Sequence, residues 1–153
     1  TNDVKDATGC FLNMTLDTDQ AQMWHAVLEA IGYDYMEIAD LYKSAGVDMS
    51  RITITEGGSR SDIWNQMKSD MLGARVQTLK NAGGAIVTNC LFGAYALGQI
   101  TDIKQALYDS LEIRKIYETD PEKNSFYRSA YDLQKKLVKD DMKRAFETLK
   151  ALH

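Results

Sequence analysis

Apolar residues recur at helical spacing along most of the chain and at strand spacing in a few short runs. Trp24, Leu28, Ile31, Tyr35, Ile38 and Tyr42 fall three or four apart, which predicts one long amphipathic helix. Asp17, with Gln20 three residues on, offers a capping-box start, and Gly46 offers a left-handed stop. Gly9 to Leu16 reads as a strand before that helix, and Arg51 to Thr55, alternating and β-branched, reads as a strand after it. Glu56-Gly57-Gly58-Ser59 breaks the second strand. Ser61 or Asp62 can cap a helix whose apolar stripe is Ile63, Trp64, Met67 and Met71, and Gly73 ends it. Arg75 to Leu79 is a further short strand, and Gly83 to Leu97 a small-residue helix closed by Gly98. A shorter helix covers Asp102 to Leu111. Tyr117 to Asn124, holding the lone proline Pro121, reads as a linker, and a long helix follows from Ser125 to Leu152. Strands alternating with helices predict a parallel α/β layer fold.

Composition narrows the class. The length of 153 residues suits one domain, and 44% hydrophobic with 26% charged residues supplies a soluble core. A net charge of -4 argues against a nucleic-acid surface or an anionic membrane as partner. Cys10 and Cys90 stand far apart with no CxxC spacing, so a disulfide framework and a zinc site lack support. A reducing, cytoplasmic setting is expected. No apolar run nears the ~20 residues of a membrane span, and no signal peptide is visible. The chain opens on Thr1 rather than Met, so an upstream segment is expected to be missing.

The most informative local feature is Ile52-Thr53-Ile54-Thr55-Glu56-Gly57-Gly58-Ser59-Arg60-Ser61. A buried strand runs into two glycines and a helix begins at once. Ligands of parallel sheets bind where strands point their carboxyl ends, and glycines there allow close approach to the backbone. The N–H groups of the next helix favour an anion. Taken alone, two glycines between strand and helix are more often a tight turn with no ligand.

Longer blocks add to this. Glu56 through Gly73 resembles a C-terminal signature of the FGGY carbohydrate kinases, with Gly57, Gly58, Arg60, Ser61, Trp64, Gln66 and Asp70 on its places. A second block upstream is similar to the family pattern at Gly9, Phe11, Met14, Gln22, Met23, Ala26, Val27, Leu28 and Glu29. Gly98, Asp102, Asp120-Pro121-Glu122, Tyr127 and Tyr131 look like the family's tail, so the resemblance runs along nearly the whole chain. Asn13 and Glu56 stand where that pattern has glycine, and Val87-Thr88-Asn89-Cys90 replaces a leucine-glycine-alanine-alanine run.

The resemblance, to the xylulokinase-like and glycerol-kinase-like members, implies a partial ribonuclease-H-like lobe of the actin-like ATPase kind. It implies a short, mostly parallel sheet flanked by helices, with a long C-terminal helix. Residues 1–153 would form a single C-terminal lobe with a helical tail over about 124–152. It implies an ATP-dependent sugar kinase acting on a sugar or polyol, of pentulose type. Gly57 and Gly58 would lie against the ribose and phosphates of ATP or ADP, while Ser59 and Asp62 would hydrogen-bond the nucleoside. Mg2+ ligands, the sugar site and the catalytic aspartate would belong to an N-terminal lobe and the segment before the first block. No catalytic residue is expected here, and the chain alone should be inactive. Without the strands that open such a lobe, a homo-oligomer is expected.

Other residues carry plainer readings. Trp24 and Trp64 lie on apolar helix stripes and read as core, and Cys90 as a small buried residue. His25 has no second histidine at ligand spacing. Gly32 and Gly93 read as close helix packing. The lysines of the last helix interleave with Asp132, Asp140, Asp141 and Glu147, which favours a solvated face. Two other functions compete with a kinase half. One is a non-catalytic binding or regulatory module with a degenerate nucleotide site, to which Asn13 and Val87-Thr88-Asn89-Cys90 point. The other is a generic dinucleotide-binding domain, for which G-x-G-x-x-G is lacking.

Overall fold

The structure is a computed structural model that describes residues 9–55, 57–80 and 84–150. The chain enters through a turn in which the Thr18 N–H donates to the Thr15 carbonyl at 3.1 Å and the Thr15 N–H to Thr18 Oγ1 at 2.9 Å. That turn delays α1 (Gln20–Ser44) by two residues beyond the expected cap. Asp19, not Asp17, closes the capping box: its carboxylate accepts the Gln22 N–H at 2.8 Å, and Gln22 Oε1 accepts the Asp19 N–H at 2.9 Å. Gly46, at φ +81, takes the left-handed turn that follows.

Next come β1 (Arg51–Ile54), a 3-10 turn at Gly57–Ser59, α2 (Asp62–Leu72) and β2 (Arg75–Leu79). They are followed by α3 (Gly84–Ala96), α4 (Ile103–Asp109) and β3 (Ile113–Tyr117). The chain finishes with α5 (Pro121–Lys136), a π turn at Leu137–Asp141 and α6 (Lys143–Lys150). The expected helix limits Gly83 and Leu152, and Glu56 of the glycine turn, lie outside the described residues.

Two expectations about the sheet need correction. It is a three-stranded mixed sheet in the order β1-β2-β3, with β2 parallel to β1 and antiparallel to β3. The expected strand Gly9 to Leu16 is no strand, because no neighbour among the described residues pairs its backbone. Phe11, Leu12, Met14 and Leu16 stay exposed there, and Asn13 takes φ +60. The supposed linker instead begins with the end of β3, whose charged Arg114 and Lys115 break the apolar pattern expected of a strand. Asp120 then caps α5, and Pro121 takes the first helical position, where its missing N–H costs nothing. The expected long terminal helix is α5 and α6 joined through the π turn.

The core forms where α1 crosses α2 and α5 packs alongside. Met36 and Ala39 meet Met67, Met71 and Leu72, with Ala74, Tyr127 and Tyr131 closing the cluster. Gly32 makes the crossing possible, since a Cβ there would collide with the Met71 thioether. α1 carries apolar residues on two faces. Gly32, Met36 and Ala39 are covered; of the expected stripe, Leu28 is half-buried against the core, whereas Trp24, Ile31, Tyr35, Ile38 and Tyr42 remain exposed. Trp24 and Cys90 are therefore not core residues here. Among the described residues α3 buries none of its side chains and packs mainly against α4, and a Cβ on Gly93 would meet nothing within 4 Å, so the close helix packing expected there is not found.

Gly73 ends α2 at φ +60, and a Cβ there would lie 3.0 Å from Asn124 Nδ2, which donates to the Asp70 carbonyl at 2.6 Å. Gly73→Ala is expected to lower stability by about 1–2 kcal/mol through the left-handed backbone alone. A denaturant titration reads this as a lower unfolding midpoint.

Candidate functional site

β1 ends and α2 begins within a few residues, and the glycine turn fills the gap. Ser61 is the cap of α2, its Oγ accepting the Trp64 N–H at 3.3 Å. Ser61, Asn65 and Lys68 follow each other four and three residues apart and so share one side of the helix. Asn65 Nδ2 donates to the Ser59 carbonyl at 2.8 Å, and Lys68 Nζ donates to the Gly58 carbonyl at 2.8 Å. Two successive carbonyls of the turn are thus drawn inward onto α2. The Arg60 N–H closes the turn on the Gly57 carbonyl at 3.3 Å.

Of the residues singled out in the sequence, Gly57, Gly58 and Ser59 form this one turn. Both glycines are exposed and Ser59 is buried. Neither glycine has a positive φ. A Cβ on Gly57 would meet nothing within 4 Å, and one on Gly58 only Lys68 Nζ at 3.7 Å. Neither backbone strain nor crowding within the chain calls for glycine at these two positions.

Asp62, in the first turn of α2, is occupied by β3. Its carboxylate accepts the Tyr117 hydroxyl at 2.7 Å and Lys115 Nζ at 2.8 Å, and it also pairs with Arg114. The hydrogen bonds from Lys115 and Tyr117 hold its carboxyl at about 2, well below the usual carboxylate range. Asn65 Nδ2 lies 3.4 Å from the Tyr117 hydroxyl, so Asp62, Tyr117, Asn65 and the Ser59 carbonyl form one chain of polar contacts.

Lys68, Asn65 and Tyr117 were not singled out as site residues in the sequence. The signal for the first two was available, because Ser61, Asn65 and Lys68 fall at helical spacing on one side of α2. Tyr117 had none, since only the sheet brings it to α2. Burial pushes the Lys68 ammonium down to about 8. Its side chain reaches the end of an apolar groove of about 330 Å³ between α1 and β1, lined by Tyr35, Ile38, Tyr42, Ile52 and Ile54. A second hollow, of about 270 Å³, lies between α3 and α4, and Val87 and Thr88 of the divergent run line it. Among the described residues, no group of His, Cys, Asp and Glu is placed to hold a metal ion. No described helix is long and apolar enough to cross a membrane.

Comparison with known proteins adds a second line of support. Residues 1–97 match the family model described as FGGY family of carbohydrate kinases, C-terminal domain. A xylulose kinase of Staphylococcus epidermidis is 24% identical over 131 residues, covering 86% of this chain and 26% of that protein. A glycerol kinase of Rhodopirellula baltica is 30% identical over 115 residues, covering 74% of this chain and 20% of that protein. In fold, the chain is similar to a ligand-bound xylulose kinase from Lactobacillus acidophilus, with a TM-score of 0.78 at 19% identity. That likeness covers 94% of this chain and 29% of the other. The chain thus spans between a fifth and a third of the length of these relatives.

The Asp62 clamp has a pH signature. A carboxyl depressed in the folded state stabilises the fold above its unfolded value near 3.8, and that contribution is lost as pH falls toward about 2. Asp62→Asn is expected to lower the thermal midpoint at pH 7. It should also flatten the fall of that midpoint between pH 4 and pH 2. Parallel curves for the two proteins would show that the clamp contributes nothing.

Proposed function

The chain belongs to the FGGY family of carbohydrate kinases as a C-terminal domain, and from that premise we propose that it is the ATP-binding half of a kinase that phosphorylates a hydroxyl of a sugar or polyol. The carrying observation is the pair Gly57 and Gly58, exposed at the carboxyl end of β1 and free of any structural need for glycine. Glycines at the carboxyl end of a strand leave room for a ligand that touches the backbone. The N-terminus of α2 follows directly and favours the negative charge of phosphates. In this reading Gly57 and Gly58 lie against the ribose and phosphates of ATP, with Ser59 and Asp62 beside the nucleoside. The xylulose kinases among the relatives support a pentulose as the sugar.

Residues 1–153 then act as one C-terminal lobe, whose described tail is formed by α5 and α6. Phosphoryl transfer depends mostly on positioning and charge stabilisation. Here the lobe supplies nucleotide positioning, while Mg2+ ligands and sugar contacts come from an N-terminal lobe and the catalytic aspartate from the segment before the first block. The chain by itself performs no turnover. The outer edge of β1 and the exposed apolar residues of α1 and α3 support self-association of the chain studied alone. Light scattering is expected to find a dimer or larger species, and a stable monomer at micromolar concentration would refute this.

One observation favours a second reading, that of a binding or regulatory module with a degenerate nucleotide site. Ser59 is buried and the Asp62 carboxylate is already satisfied by β3, so neither side chain stands ready for a nucleoside. Calorimetric titration with ATP and with ADP separates the two readings. Gly58→Val is expected to weaken ATP binding at least tenfold, roughly the cost of 1.4 kcal/mol, while the unfolding midpoint stays where it was. Unchanged ATP binding in that variant would take the glycine turn out of the site.

A further inference from the structure

Lys68 is the charge near the glycine turn for which the family resemblance offers no role. Its side chain is 4% exposed. Nζ donates to the Gly58 carbonyl at 2.8 Å, lies 3.5 Å from Asn65 Oδ1 and stands 4.8 Å from the Trp64 ring centroid. Among the described residues no carboxylate pairs with it. Burying an ammonium without an opposite charge costs stability, and an apolar side chain of the same length would fill the space without that cost. Stability of the fold therefore does not account for a lysine here.

We propose that Lys68 is a positioning residue of the glycine turn, holding the Gly58 carbonyl inward on α2 so that the outer side of the turn stays open to a bound nucleotide. The proposal rests on the reading of the turn as the nucleotide site. Two successive glycines are the most easily rotated stretch a backbone can have, and nothing touches Gly57 where a Cβ would be. Asn65 fixes the carbonyl of Ser59, and Lys68 is the side chain that fixes the carbonyl of Gly58. A flip of the Gly58 peptide plane would turn a carbonyl oxygen outward, toward the phosphates of a nucleotide, where like charge repels. The ammonium prevents the flip with a charge-assisted hydrogen bond, and the Trp64 ring beneath it holds the lysine in place.

The test compares wild type, Lys68→Met and Lys68→Arg on the full chain by three measurements: thermal unfolding, amide hydrogen exchange at Gly58 to Arg60, and calorimetric titration with ATP. The methionine variant is expected to unfold at the same temperature or higher. Its turn amides should exchange about tenfold faster and its ATP affinity should fall about tenfold, the scale of one hydrogen bond to a charged group. Arginine, which keeps a cationic donor, should restore both. A residue that only held the fold together would lower stability and binding in step. Unchanged exchange in a folded methionine variant overturns the proposal, and so does faster exchange with unchanged ATP affinity. If wild type binds no ATP, the nucleotide reading fails and takes the ligand half of the proposal with it, while the exchange comparison still decides whether Lys68 holds the turn. Should the methionine variant not fold, Lys68→Gln carries the same comparison.

Discussion

The structure depends on the polar side of α2 finding partners in the dark. Asn65, Lys68, Ser69 and Asp70 are all buried, in a helix that elsewhere contributes Met67, Met71 and Leu72 to the core. A buried polar group without a partner costs on the order of 1–3 kcal/mol, so each of these must be matched. Ser69 Oγ donates at 2.7 Å to the Ala74 carbonyl, and the Tyr117 carbonyl lies 3.0 Å away. The Asp70 carboxylate accepts from Gln66 at 2.8 Å and from the Asp120 N–H at 2.9 Å. Thr119 and Asn124 donate back to the carbonyls of Ser69 and Asp70. These bonds fasten the exit of β3 and the start of α5 to one helix, and the same helix clamps the glycine turn through Asn65 and Lys68.

One helix therefore couples two jobs. Its inner side decides where β3 and α5 sit, and its first two turns decide the shape of the turn after β1. Asp62 joins them, since it sits beside the glycine turn but is held by Lys115 and Tyr117 of β3. Tyr117 and Asn65 thereby link β3 to the Ser59 carbonyl by a continuous line of polar contacts.

The glycines separate by physical role. Gly46, Gly73 and Gly98 have positive φ and end helices, so their conformation explains them. Gly32 is explained by packing, because Met71 occupies the place of its absent side chain. Gly57 and Gly58 have neither explanation, which they share with Gly9 and with Gly93 on exposed α3; what sets the pair apart is its place between the carboxyl end of β1 and the start of α2.

Much of this was legible in the residues themselves. β1 to within one residue, β2 in full, the start of α2 at a cap of Ser61 or Asp62, the left-handed stop at Gly46 and the helix ends at Gly73 and Gly98 follow from local rules: β-branched alternation, side-chain capping and the steric freedom of glycine. The family resemblance rested on blocks of adjacent residues and needed no structure either. What failed, failed where the answer depended on a distant partner. Gly9 to Leu16 has the apolar content of a strand but no neighbour among the described residues to pair with. β3 has a charged middle and becomes a strand because β2 offers it a hydrogen-bonding edge and Asp62 neutralises Arg114 and Lys115. Which face of α1 is buried was decided by where α2 crosses it, and sequence period alone could not choose between its two apolar faces. Local sequence sets the elements because their causes lie within a few residues. The order of the sheet, the burial of α2's polar side and the grip of Lys68 on Gly58 come from contacts between distant segments, and only the tertiary structure decides those.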